Sequence, residues 1–203
     1  MTLPHAVIIA GGKGTRLGGV RKADLRLGRV RQLDRVISAL GKVVNPILVA
    51  GGPPEHRLDL PPTCVAVPDR DSPSAGPLAG LAAAVAHLTE SGITDGLLVS
   101  VAVDTAFLPT DFVSRLIDGL DEGTAAFAAW GEDFYPPNAV WRLGHLQDLP
   151  RAIDGASGPA SLKSLQRRLG ARRVDWTEHA GANPFANINT LADLLALQRI
   201  ALG

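Results

Sequence analysis

The chain has 203 residues, of which 46% are hydrophobic and 20% are charged, and its formal net charge is zero. This balance is typical of a globular protein and excludes a disordered one, and zero net charge gives no reason to expect nucleic acid or a membrane surface as a partner. The length suits one domain, so we predict a single domain over residues 1–203.

Short apolar runs alternate with helix-length segments through the first half of the chain. The continuous apolar runs predict strands buried on both faces, at residues 6–10, 46–50, 64–68 and 97–103. Apolar residues at helical spacing predict helices over residues 31–41, 76–88 and 109–120. This alternation predicts an α/β fold of three layers, α/β/α and Rossmann-like, with a mainly parallel sheet.

The second half is less regular. Strands are predicted at 125–130, 138–142 and 172–176, the first two joined by the polar, proline-containing turn "GEDFYPP". The segments "HLQDLPRAI" and "SLKSLQRRLG" predict short helices. Thr190 followed by Asp193 is a capping-box pattern, which predicts the start of the last helix.

Features of other protein classes are missing from the sequence. Cys64 is the only cysteine and the five histidines are scattered, which excludes a disulfide framework and a thiolate zinc site. No apolar stretch approaches the roughly 18–20 residues of a membrane-spanning helix, and the N-terminal segment lacks the basic region of a signal peptide. We therefore expect a cytoplasmic protein.

The segment "AGGKGTRLGGVRK", residues 10–22, follows the first strand and contains five glycines and four basic residues. It lacks the spacing of a Walker A loop, and Leu17 stands where a dinucleotide-binding loop has its third glycine. Glycines let backbone N–H groups approach an oxyanion, and basic side chains add charge-assisted hydrogen bonds, so the segment predicts a phosphate site. The alternative is a solvated basic loop.

Two further groups of residues suggest ligand chemistry. Asp104 ends the fourth predicted strand, at the edge where open α/β sheets bind ligands, and a carboxylate there suits Mg²⁺. Asp69 ends the third strand in the same way. Asn187 and Asn189 are two residues apart and share one face of an extended segment. The alternative for each is a role in a turn or a helix cap.

Four ordered segments carry a family resemblance. They are "AGGKGTRLGGVRK", "VPDRDSPSAGPLAGLAAA", "VDTAFLPTDFV" and "FANINTLADL". Together they resemble the motifs of molybdenum cofactor guanylyltransferases, which are nucleotidyltransferases of the GT-A type. The resemblance implies a mainly parallel mixed sheet, with a nucleotide-binding half over about residues 1–110 and an acceptor-binding half over about 111–203.

The resemblance also implies the reaction and its site. GMP would pass from GTP to the terminal phosphate of molybdopterin, with or without molybdenum, with Mg²⁺ as cofactor and proteins of molybdenum insertion and molybdoenzyme maturation as partners. Catalytic roles fall on Arg16, Lys22 and Asp104, the last as metal ligand. The implied nucleotide-binding residues are Ile9, Ala10, Gly11, Gly12, Lys22, Gly51, Asp69 and Asp104, and the implied acceptor-binding residues are Asn187, Asn189 and Lys163.

Departures from the family pattern leave alternatives open. Val103 and Ala106 stand where the family has Cys and Pro beside the aspartate, and "YPPNAVW" replaces a His-Pro turn. One alternative is an enzyme that uses CTP with molybdopterin, or that acts on a sugar or polyol phosphate. The other is a binding module that holds nucleotide or cofactor without catalysis.

Overall fold

The structure is a computed structural model that describes residues 2–11, 19–52, 58–68, 76–155 and 157–202. Its strands are β1 (His5–Ile9), β2 (Arg26–Leu27), β3 (Val30–Arg31), β4 (Ile47–Ala50), β5 (Cys64–Val67), β6 (Leu97–Ala102), β7 (Ala125–Trp130), β8 (Asp133–Arg142) and β9 (Arg172–Asp175). Its α-helices are α1 (Gln32–Leu40), α2 (Pro77–Glu90), α3 (Phe112–Leu120), α4 (Leu149–Asp154), α5 (Leu162–Arg168) and α6 (Leu191–Leu202), and single 3₁₀ turns cover Lys22–Asp24 and Leu143–His145.

Seven strands form one sheet in the order β5-β4-β1-β6-β8-β7-β9, and β2 pairs with β3 in a separate hairpin. Neighbours pair in parallel from β5 to β6 and again between β7 and β9, whereas β8 is antiparallel to both β6 and β7. The central strands are continuous apolar runs because helices cover both of their faces. The predicted mainly parallel mixed sheet is confirmed.

Two apolar cores lie on opposite faces of the sheet. Ile8 of β1 belongs to the core that contains α1 and α3, whereas its neighbours Val7 and Ile9 belong to the core that contains α2, α4 and α5. Successive side chains of a strand point to opposite faces, so one short strand contributes to both cores. The three-layer arrangement follows directly from this alternation.

A third, smaller cluster lies apart from both main cores. It consists of Leu27, Ala106, Ile188 and Leu197, all buried. Helix α6 also contacts the β2–β3 hairpin through a hydrogen bond from the Gly28 N–H to Gln198 Oε1 of 2.8 Å. We call this set of four residues the third cluster.

The start of α6 is as predicted. The Asp193 N–H donates to Thr190 Oγ1 at 3.2 Å, and the Thr190 N–H donates to Asp193 Oδ2 at 2.8 Å. The reciprocal pair satisfies backbone N–H groups that the first helical turn leaves without partners. No helix in the described ranges combines the length and the apolar character needed to cross a membrane.

The predicted turn in "GEDFYPP" is wrong in extent. β8 begins at Asp133, and Asp133, Phe134 and Tyr135 pair with Trp130, Ala129 and Ala128 of β7. The connection is therefore a tight turn at Gly131 and Glu132, and the two prolines lie within the strand. Proline lacks a backbone donor and normally indicates the end of a strand, which is why the prediction stopped short.

Gly119 marks the closest approach of α3 to β9. A Cβ atom at this position would overlap Val174 Cγ2, and Val174 is itself buried. We expect Gly119→Ala to destabilise the fold by about 1–3 kcal/mol, the usual cost of overpacking. Each kcal/mol lowers Tm by about 2–4 °C in a chain of this size, which thermal unfolding followed by circular dichroism measures.

Gly144 provides the matched control, because a Cβ atom there meets no atom within 4 Å. Gly144→Ala should stay within about 0.5 kcal/mol of the parent. Equal melting temperatures for the two variants would contradict the packing argument. The double variant Gly119→Ala/Val174→Ala should recover part of the lost stability, because the shorter side chain makes room for the new methyl group.

Candidate active site

A cleft opens where the parallel strands end at their carboxyl edge. Its volume is about 200 Å³. The lining residues come from the ends of β1 and β6, from β8, from the start of α2 and from the loop before α6: Ile9, Ala10, Gly11, Lys22, Pro77, Ala102, Val103, Asp104, Tyr135, Pro137, Asn138 and Asn187. Ligands bind at this edge in open α/β sheets because the loops that follow the strands leave a crevice there.

Lys22 joins three distant parts of the chain. Its Nζ donates to Asp104 Oδ2 at 2.6 Å and to Asn189 Oδ1 at 2.8 Å. The side chains of Lys22 and Asp104 are only 26% and 15% exposed, so this charge pair is poorly screened by water. The glycine-rich segment, the end of β6 and the segment before α6 therefore meet at one ammonium group.

The donor chemistry at Asp104 suits a hard divalent ion. Among the described residues, no group of three or more His, Cys, Asp or Glu could form a metal site by itself. Mg²⁺ normally binds to one or two carboxylates and completes its coordination with substrate phosphates and water. One half-buried carboxylate in a cleft beside a lysine therefore fits Mg²⁺ that arrives with a polyphosphate, and it does not suit a permanent metal cage.

The asparagine segment lies directly against the Asp104 turn. Asn187 forms an antiparallel bridge with Thr105, and the Ile188 N–H donates to the Asp104 backbone oxygen at 3.3 Å. Asn187 lines the cleft, and its Oδ1 is buried without a hydrogen-bond partner in the part of the chain that the structure describes. This oxygen is available to accept a hydrogen bond from a bound ligand.

Asp193 fixes the backbone from which Asn189 projects. Its Oδ2 accepts from the Asn189 N–H at 3.0 Å as well as from the Thr190 N–H. The backbone donor of Asn189 and then those of Thr190 hold the pKa of the Asp193 carboxyl below its usual value. The ionised form is therefore favoured, and the start of α6 stays capped at neutral pH.

The other residues implied by the resemblance lie in several places. Gly51 directly follows β4 and is half-buried, but it does not line the cleft. Lys163 lies on α5, where its Nζ stands 4.5 Å from the centre of the Phe134 ring and lines a separate pocket of about 210 Å³. Gly12, Arg16 and Asp69 lie outside the described residues.

The sequence analysis missed the wall that β8 contributes to the cleft. Tyr135, Pro137 and Asn138 line it. The Tyr135 hydroxyl accepts a hydrogen bond from Asn183 Nδ2 at 2.6 Å, and its ring centre lies 5.1 Å from that of Phe185. The available signal was a pair of prolines followed by a polar residue and an apolar run, which is compatible with a strand that leaves the sheet near a site.

Comparison with known proteins gives a consistent family. The chain matches the family described as the MobA-like NTP transferase domain over residues 6–174. It is 36% identical over 197 residues to the molybdenum cofactor guanylyltransferase of Acidiphilium cryptum (strain JF-5), a match that covers 96% of this chain and 93% of that protein. It is 34% identical over 192 residues to the protein of the same name from Cereibacter sphaeroides, with coverages of 93% and 92%.

A solved structure supports the fold independently. The molybdopterin-guanine dinucleotide biosynthesis protein A of Archaeoglobus fulgidus superposes with a TM-score of 0.74 at 18% identity, over 98% of both chains. The family match includes Lys22 and Asp104, and the match to the Acidiphilium protein, at 96% of the chain, extends through Asn189. The chain therefore belongs to the molybdenum cofactor guanylyltransferases, within the MobA-like nucleotidyltransferases.

Proposed function

We propose that the chain transfers GMP from GTP to the terminal phosphate of molybdopterin, releasing pyrophosphate and forming the guanine dinucleotide form of the molybdenum cofactor. The names of its relatives support this reaction. In the reaction, an oxygen of the acceptor phosphate forms a bond to the α-phosphorus of GTP. The bond from that phosphorus to the oxygen bridging to the β-phosphate breaks, and the pair of electrons leaves with pyrophosphate.

The observation that carries the proposal is the meeting of Lys22, Asp104 and Asn189. Nucleotidyl transfer needs little covalent chemistry from the protein, because positioning and charge neutralisation account for most of the rate. Lys22 supplies a positive charge where the triphosphate would lie, and its ammonium can exchange the Asp104 carboxylate for a phosphate oxygen. Asn189, now free of Lys22, can then meet the acceptor.

Asp104 would hold Mg²⁺, which supplies charge neutralisation and alignment of the triphosphate when it is bound. The walls formed by Ile9, Ala10 and Gly11 are proposed to bind the nucleotide, and Asn187 the acceptor. The roles of Gly12, Arg16, Gly51, Asp69 and Lys163 stay predictions. The reaction belongs in the cytoplasm, where GTP is available, and its product would pass to proteins that mature molybdoenzymes.

The departures at Val103 and Ala106 give no support to a non-catalytic module. Ala106 packs in the third cluster, where a small apolar side chain fills the space. Val103 is 3% exposed, and its backbone N–H donates to the Ile9 oxygen at 3.0 Å. Neither side chain takes part in the contact among Lys22, Asp104 and Asn189, so the proposed catalytic groups are complete.

The direct test supplies purified protein with Mg²⁺, molybdopterin and each of GTP, CTP and UTP, and measures pyrophosphate and the dinucleotide product. We expect equal amounts of pyrophosphate and guanine dinucleotide, with the other nucleotides at least about tenfold slower. Faster reaction with CTP would instead establish a cytidylyltransferase. Nucleotide binding without pyrophosphate release, for molybdopterin and for sugar phosphates alike, would establish a binding module.

A further inference from the structure

The pairing between β6 and β8 stops short of the catalytic turn. The last paired residues are Ser100 and Ala139, although β6 continues to Ala102. In β8 the chain beyond Asn138 contains Pro137 and Pro136, which have no backbone N–H to offer to β6. The two strands therefore separate, and the gap between them is one side of the cleft.

The same part of β8 bulges away from its other neighbour. Phe127 of β7 is opposite Ala139, but the next residue, Ala128, is already opposite Tyr135. Residues 136–138 consequently have no partners in β7. A bulge of this kind redirects side chains, and bulges are common beside active sites.

Asn138 replaces the missing strand pairing with its side chain. Its Oδ1 accepts the Ala102 N–H at 2.9 Å, and its Nδ2 donates to Thr105 Oγ1 at 3.1 Å. Asn138 is only 1% exposed and Thr105 is fully buried. Asp104 lies between the two residues that Asn138 binds, so one amide group holds the backbone on both sides of the proposed metal ligand.

We propose that Asn138 is a positioning residue, which fixes the Asp104 turn so that the carboxylate faces the cleft and the metal–nucleotide complex. The inference rests on the proposed function, because it concerns the same site. Thr105 extends the connection, since its backbone bridges to Asn187. Asn138 thus links the metal side of the cleft to the asparagine segment while its own side chain touches neither substrate nor metal.

A nearby hydrogen-bond network offers a control for a purely structural role. Ser100 Oγ donates to the Pro137 oxygen at 2.7 Å and accepts from Trp141 Nε1 at 2.9 Å. Ser100 is fully buried and connects the same two strands, but it makes no contact with the Asp104 turn in these bonds. Loss of its hydroxyl should therefore affect stability without affecting the orientation of Asp104.

The test measures Mn²⁺ binding to the protein–GTP complex by electron paramagnetic resonance, without acceptor, alongside kcat and KM for GTP. In Asn138→Leu we expect Mn²⁺ binding to weaken by about 10–100-fold, as for other residues that support metal ligands, and kcat to fall comparably. KM for GTP at saturating metal should change less than about threefold. Thr105→Val, which keeps the shape and removes one of the two bonds, should give a smaller loss in the same direction.

Ser100→Ala should keep parental Mn²⁺ affinity and kcat even where its Tm falls. Parental Mn²⁺ affinity in Asn138→Leu, or an equal loss in Ser100→Ala, would overturn the inference. If Asn138→Leu does not fold, parental affinity in Thr105→Val has the same consequence. Because Mn²⁺ binding is measured without acceptor, it judges Asn138 independently of whether GMP transfer to molybdopterin occurs.

Discussion

Replacing Asp104 with asparagine is expected to reduce kcat for GMP transfer by about 10³-fold, with little change in the fold. The substitution keeps the shape of the side chain and an oxygen that can accept from Lys22, but it removes the negative charge that the proposed Mg²⁺ site needs. Loss of one preorganised electrostatic group in an active site typically costs 10²–10³-fold, and loss of a metal adds to this. Pyrophosphate release at saturating GTP and Mg²⁺ measures the effect.

The stability cost of this change is expected to be small. The Lys22–Asp104 pair is part-exposed, and pairs of this kind contribute about 1 kcal/mol or less. Asp118→Asn is a matched control, because Asp118 is exposed on α3 and does not line the cleft. Activity within about tenfold of the parent in Asp104→Asn would remove Asp104 from the metal site, whereas equal losses in both variants would indicate a general charge effect.

Replacing Lys22 with methionine is expected to have two opposite effects. GMP transfer should fall by about 10²-fold or more, because a positive charge on the phosphates is lost. Mn²⁺ binding in the absence of nucleotide should become tighter, because Lys22 Nζ no longer competes for Asp104 Oδ2, from which it lies 2.6 Å away. Pyrophosphate assays and Mn²⁺ titration followed by electron paramagnetic resonance measure the two effects separately.

Two further variants sharpen the Lys22 experiment. Lys42→Met should leave both activity and Mn²⁺ binding at parental levels, because Lys42 is exposed and outside the cleft. Lys22→Arg should not restore full activity, since the larger planar guanidinium cannot occupy the place of a compact ammonium between a carboxylate and an amide. Weaker Mn²⁺ binding without nucleotide in Lys22→Met would show that the lysine supports the metal site and does not compete with it.

Much of the fold could be predicted because burial leaves a direct pattern in the chain. The strand predicted at 97–103 differs from β6 by one residue, and the strand predicted at 125–130 coincides with β7. Both are continuous apolar runs, since helices or other strands cover them. The β2–β3 hairpin was not predicted, because strands of two residues are too short to show any periodicity.

The site could be predicted only in part. Strand ends of a parallel sheet meet at one edge, so a common location for the glycine-rich segment and Asp104 follows from topology. The contact of Lys22 with Asn189, 167 residues away, depends on how α6 packs, which no local pattern specifies. Asn138 was missed because a buried asparagine within a strand has the same appearance in a sequence as a turn residue. Its role depends on a bulge that only coordinates reveal.

The third cluster connects the cleft residues more closely than the two main cores do. Leu27 follows Lys22 by five residues, Ala106 follows Asp104 by two, and Ile188 immediately precedes Asn189. Four buried side chains form a small cooperative unit, and such units open at a lower free energy than a whole domain. Opening of this unit would release all three cleft segments together while the seven-stranded sheet stays intact. Heat inactivation of the enzyme is thus expected to be a local event that precedes melting.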